Sequence, residues 1–207
     1  MESVYLYGLK PGELVIPEKE VFRYLGYMGH TPQAYDAQLI AEGIRKTEDV
    51  AAPKACYGLF DISIEEERIT LPYGEVHSGS LSKWISGCTK AYIFAATVGA
   101  GVDRMIKTAA FRSMSEAAIL QACGAAAVEE FCNILNRKLD RESEENGRNN
   151  VKRYSPGYGD LELEENQKGV FAVLNPGKHI GLSLMDTFIM SPEKSVTAII
   201  GVKEECS

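Results

Sequence analysis

The stretch KAYIFAATVG, residues 90–99, is apolar almost throughout and shows no alternation. A strand without a polar face is stable only where both faces are covered, so it predicts a central strand between two layers. The run passes through Gly99 and Gly101 directly into VDRMIKTAAF, which reads as a helix. After a break near Ser113, the segment from Ser115 to about Glu145 reads as one long helix rich in alanine, leucine and glutamate. Its small residues, Ala118, Ala122, Gly124, Ala125 and Ala126, imply that another element approaches it closely.

The flanking segments set the fold class. Val15 and Ile16 read as extended chain entering a helix at Pro17, with Val21, Phe22, Leu25 and Met28 as its stripe and Gly26 and Gly29 as its stop. HTPQAYDAQLIAEGIRK restarts a helix, with Thr31 as N-cap, Pro32 in the first turn and Tyr35, Leu39, Ile40 and Ile44 as apolar positions. ACYGLFDISI, EEER and ITLPYG predict a strand, a hairpin turn and a return strand, before a short helix around Trp84. SEENGRNN reads as a polar loop, and LELEENQKGVFAVL as a helix stopped by NPGK. IGLSLMDTFIM and KSVTAIIGV, joined by SPEK, predict a terminal antiparallel hairpin. Hairpins on both sides of the strand–helix centre favour the α+β class: a mixed, mostly antiparallel twisted sheet flanked by helices. One domain is expected over 1–207, with an N-terminal helical portion over about 1–50.

Charge excludes some functions. A formal charge of -7 and a pI near 5.1 disfavour a nucleic-acid groove, which needs a basic stripe to neutralise phosphates. MESVYLYGLK has an acid at position 2 and no apolar core of signal-peptide length, and the run from Ala91 to Val102 is too short to span a bilayer. A cytoplasmic protein without a membrane partner is expected. The five cysteines (Cys56, Cys88, Cys123, Cys132, Cys206) contain no CxxC and read as reduced core thiols. His30, His77 and His179 have no ligand spacing, so no metal is predicted.

Three candidate sites remain. IFAATVGAGVDR has the strand, Gly-x-Gly and helix of a dinucleotide or methyl-donor loop, but lacks the third glycine and the acid about twenty residues on. A tight strand-to-helix turn explains it more simply. His179, in GKHIGLSL, fits packing or a helix end better than catalysis. No GxSxG elbow occurs, and the acidic pairs lie in turns and polar helix faces, so no catalytic residue is assigned. The third candidate, RYSPGYGD at 153–160, supports two readings. It is either a rigid loop fixed by Pro156 and Gly157, or a cradle in which Arg153 forks a carboxylate and Tyr158 offers a π face to a cation such as a sulfonium.

RYSPGYGD resembles the Arg-Pro-x-Pro-Gly-Tyr loop of the activation domain of cobalamin-dependent methionine synthase, in its stand-alone form. The resemblance continues in KHIGLSLMDTFIMSPEKSVTAIIGV and in AAAVEEFCNILNRKL, which is similar to the long helix of that family. It implies an accessory reactivation subunit rather than an independent catalyst. Such a subunit binds S-adenosylmethionine and docks on a cobalamin-binding methionine synthase or related corrinoid protein. A flavodoxin-like partner supplies the electron for reductive methylation of the oxidised cobalamin. Carried over by motif, the S-adenosylmethionine-binding residues are Arg153, Ser155, Gly157, Tyr158 and Glu129. The family helix also has an aspartate one turn before its glutamate, where this chain has Ala125, and the family's acid near the start and aromatic pair near the end are not matched. An alternative implied by these differences is a ligand-free module capping a corrinoid protein.

Overall fold

The computed structural model describes residues 3–27 and 32–204. In chain order the elements are β1 (Tyr5–Gly8), α1 (Glu18–Tyr24), α2 (Ala34–Val50), β2 (Lys54–Asp61), β3 (Ser63–Glu65), β4 (Arg68–Leu71) and β5 (Gly74–His77). There follow α3 (Gly79–Trp84), β6 (Lys90–Thr97), α4 (Ala100–Ala110), α5 (Met114–Glu144) and β7 (Arg148–Asn150). The chain continues through α6 (Leu163–Leu174), α7 (Pro176–Ile180), β8 (Ser183–Leu184), β9 (Met190–Ser191) and β10 (Ser195–Glu204).

The main sheet has the order β1-β2-β6-β10-β7, and all of its pairings are antiparallel. Its centre is β6, as the apolar run required. Tyr92, Phe94 and Ala96 point into a core built with α5, α2 and α4, through Leu120, Phe131, Leu135, Ile40 and Val102. Ala91, Ile93 and Ala95 point into a second core that includes Leu81 of α3 and its C-cap Ile85, Val170 and Leu174 of α6, and Ile180 of α7. The period of two therefore sends alternate apolar side chains to two different helical layers.

The long helix α5 closes the first core. By length and composition it could cross a bilayer, but 56% of its most apolar window is buried here against the sheet and its helical neighbours. Close approach does occur: a Cβ at Gly124 would meet Val102 Cγ1 at 3.1 Å, and one at Gly43 would meet Ile119 Cγ2 at 2.8 Å. Ala118, by contrast, is exposed and takes no part in the approach.

Several expectations change. IGLSLMDTFIM does not pair with the last strand: β8 and β9 form their own small hairpin, while β10 runs along β6 from Ser195↔Thr97 to Val202↔Lys90. Asp186 and Thr187 interrupt the apolar run and Phe188 takes φ 60°, which folds the segment on itself. β7 lies within the stretch read as a loop, and β1 within the portion read as helical, because edge strands need no alternating apolar pattern. The EEER turn is present, with Glu66 at φ 58°, but the chain turns again to add β5. Helix α2 starts at Ala34 with Gln33 as N-cap. The expected cap Thr31, Met28, Gly29 and the side chain of Tyr35 lie outside the described residues.

Gly99 and Gly101 serve packing. Gly99 has φ 88°, and a Cβ there would meet Ala52 Cβ at 3.3 Å; a Cβ at Gly101 would lie 2.8 Å from the carbonyl oxygen of Val50. Alanine is ordinarily the better helix former by about 1 kcal/mol. Gly101→Ala nevertheless should lower stability by about 1–2 kcal/mol in urea unfolding, because the end of α2 blocks the methyl group. Equal or higher stability would contradict this packing.

Candidate functional site

Beyond β7 the chain stays extended along β10. Val151 N–H donates to Gly201 O at 2.9 Å, and Tyr154 exchanges two 2.8 Å hydrogen bonds with Ile199. Residues 151–154 are thus the outer edge of the sheet, and neighbouring side chains point to opposite faces. Arg153 turns toward α5 and Tyr154 toward α3.

On the α5 side, Arg153 Nη2 pairs with the Glu129 carboxylate, and Nη1 donates to Asn133 Oδ1 at 2.9 Å. With its amide oriented to satisfy both neighbours, Asn136 accepts from the same Nη1 at 2.8 Å and donates to Cys132 O at 3.1 Å. Positions 129, 133 and 136 are one and two turns apart, so α5 presents all three on a single stripe. Ala125 occupies the preceding turn of that stripe without a polar group. One carboxylate therefore balances one guanidinium, where an aspartate at Ala125 would make the site net negative.

On the α3 side the wall is aromatic. The Trp84 and Tyr154 ring centroids lie 5.9 Å apart, and those of Tyr154 and Tyr158 6.4 Å. Trp84 Nε1 donates to Lys152 O at 2.7 Å, and Tyr154 Oη donates to Tyr158 O at 3.1 Å. Between the two sides lies a cleft of about 370 Å³ lined by Trp84, Glu129, Arg153, Tyr154, Ser155, Tyr158 and Gly159.

Asp160 latches the loop to α3. Its carboxylate accepts from the Ser78 hydroxyl, from Gly79 N at 2.9 Å and from Ser80 N at 3.1 Å. The Ser78 hydroxyl and then the two amides hold this carboxyl down to about 2. Gly159, at φ 56°, brings the turn against α3, where a Cβ would meet Tyr154 Oη at 2.5 Å and Ser80 Oγ at 2.8 Å.

The cleft brings together Arg153, Glu129, Ser155 and Tyr158. Gly157 is not among the lining residues. At φ 87° it shapes the turn, donating to Leu161 O at 2.8 Å and lying against Leu163. The other candidates are elsewhere. Gly99 and Gly101 pack on the end of α2, and His179 sits in the last turn of α7. Four cysteines are buried and free, and burial pushes the Cys56, Cys123 and Cys132 thiols up to about 12; Cys206 lies outside the described residues. Among the described residues, no group of three or more histidine, cysteine or acidic side chains is placed to hold a metal ion.

No sequence-family model matches the chain, and no curated protein matches it at the level of sequence. Among solved structures, the crystal structure of the MetH reactivation domain bound to AdoHcy superposes with a TM-score of 0.71. The match covers 100% of this chain and 80% of that one, at 16% identity. This chain has the fold of the MetH reactivation domain. Within this version of the reactivation-domain fold, sequence reasoning missed Trp84, Tyr154, Gly159, Asn133 and Asn136 as site neighbours. Helical spacing from Glu129 would have found the two asparagines. Nothing local connects Trp84 to residues some seventy positions away.

Because Asp160 has a folded pKa below its ordinary value of about 3.9, the latch contributes fully above that value and is lost as pH falls toward 2. Asp160→Asn should therefore lower the urea midpoint above pH 4, and the gap from wild type should close between pH 4 and 2. A gap that stays constant over that range would contradict the latch.

Proposed function

We propose that this chain is an accessory reactivation subunit for a cobalamin-dependent methionine synthase, binding S-adenosylmethionine in the Arg153 cleft and presenting it to a corrinoid held by that partner. The observation that carries this reading is the pairing of Arg153 with Glu129 opposite an aromatic wall, on a fold whose solved neighbour is bound to AdoHcy. The cleft volume falls within the range of about 300–1,000 Å³ usual for small-molecule sites.

The donor set fits the ligand. A guanidinium has five N–H donors, and the α5 side chains engage three of them, leaving two for a carboxylate. Glu129 retains acceptor capacity for an α-ammonium, so one cation and one anion face a zwitterion. Tyr158 offers its face to the sulfonium. Ser155 and the loop backbone supply short polar contacts, and Gly157 sets the turn that presents them. When bound, the ligand supplies the methyl group that restores an oxidised cobalamin once a flavodoxin-like protein has provided the electron.

Docking has its own support. Trp84 and Tyr158 are 46% and 68% exposed where they line the cleft, an apolar rim suited to a protein surface. Free buried thiols accord with action in a reducing cytoplasm. A second reading, a ligand-free cap on a corrinoid protein, is favoured by the three α5 side chains that already occupy Arg153.

Titration calorimetry separates the two. S-adenosylmethionine should bind saturably, and Arg153→Ala should weaken it by about 30-fold or more through loss of the carboxylate partner. No binding, with or without a cobalamin-carrying protein, would overturn the first reading. Association with that protein unaffected by Arg153→Ala would then support the second.

A further inference from the structure

We propose that Trp84 is the specificity-determining wall of the cleft, the face on which the purine of the adenosyl ligand stacks; this rests on the S-adenosylmethionine reading above. The cleft straddles the sheet edge, so its two ends differ in chemistry. The α5 end holds the guanidinium and carboxylate of Arg153 and Glu129, and the α3 end holds rings. A ligand crossing the edge must be bipartite, with a charged end and a flat apolar end.

Tyr154 is held by its own Oη hydrogen bond to Tyr158 O and is half-buried, so the fixed ring that stays open as a platform is Trp84. Its Nε1 hydrogen bond to Lys152 O sets the ring orientation, and Tyr154 supports it at 5.9 Å and 56°. Even so, 46% of the residue is exposed beside the cleft. Helix α3 is tied to the same loop at its other end, where Asp160 accepts from Ser78, Gly79 and Ser80. The platform and the Arg153 segment therefore form one unit, joined at Lys152 and at Asp160. Tyr158 lacks such an anchor: its ring meets Tyr154 edge-on and the residue is 68% exposed, which suits a cationic sulfonium better than an extended base. A base on an aromatic face gains affinity through the π system, with an indole offering the largest area.

The test uses the whole chain and two probes: S-adenosylmethionine, and 5′-methylthioadenosine, which keeps the base, ribose and thioether but has no amino-acid zwitterion. Trp84→Leu should weaken both by a similar factor, about tenfold, and Trp84→Phe should recover most of the loss. Arg153→Ala should weaken S-adenosylmethionine alone. Unchanged affinity of Trp84→Leu for both probes would overturn the assignment while leaving the ligand reading intact. If wild type binds neither probe, both fall together. Should Trp84→Leu fail to fold, wild type suffices, because Trp84 is the sole tryptophan of the chain. Saturating 5′-methylthioadenosine should quench its emission, and bound ligand without any spectral change would overturn the stacking.

Discussion

Seven of the eight residues of β6 are buried, and their side chains alternate between two separate cores. A strand with no wet face commits the sheet to a helical layer on each side. Helix α5 with α1, α2 and α4 fills one, and α3, α6 and α7 with the three-stranded sheet β3-β4-β5 fill the other. With both faces covered, backbone meets solvent at the two outer edges, β1 on one side and β7 with residues 151–154 on the other, and the second edge carries Arg153. The site is a consequence of the burial that holds the fold together.

That position explains the mixed character of the cleft. An extended edge segment sends alternate side chains to opposite layers, so Arg153 reaches the polar stripe of α5 while Tyr154 reaches Trp84. Glu129, Asn133 and Asn136 hold the guanidinium in place, so a ligand of the proposed kind would meet a side chain that is already ordered. On the other side, the Asp160 and Trp84 Nε1 hydrogen bonds keep the aromatic wall in register with the arginine. The loop is a rigid turn, and the cradle proposed for Arg153 and Tyr158 rests on that rigidity.

Much of the fold was legible because burial leaves a periodic record. The run at residues 90–99 reported two covered faces, and the stretch from Ser115 to Glu145 matches α5 to within a residue. The edge strands were not legible, since Arg148–Asn150 gains its hydrogen bonds from β10 rather than from any pattern of its own. The terminal segment was misassigned because strand character says nothing about partner choice: KSVTAIIGV pairs with β6 across about a hundred residues, where sequence proximity suggested a hairpin. At the cleft, Arg153 stood in the quoted loop, and Glu129 came from the resemblance of the long helix. Trp84 lines the cleft through a hydrogen bond to Lys152, sixty-eight positions away, and only folding reveals that proximity.

The reading proposed for this sheet edge is a ligand site whose two ends differ in chemistry. A crystal structure of the chain grown with AdoHcy tests it most directly. Ligand density should cross the edge of the sheet, with the carboxylate on Arg153, the ammonium on Glu129 and the adenine toward α3. Ligand bound elsewhere, or a structure with the Arg153 cleft empty at saturating concentration, would contradict it.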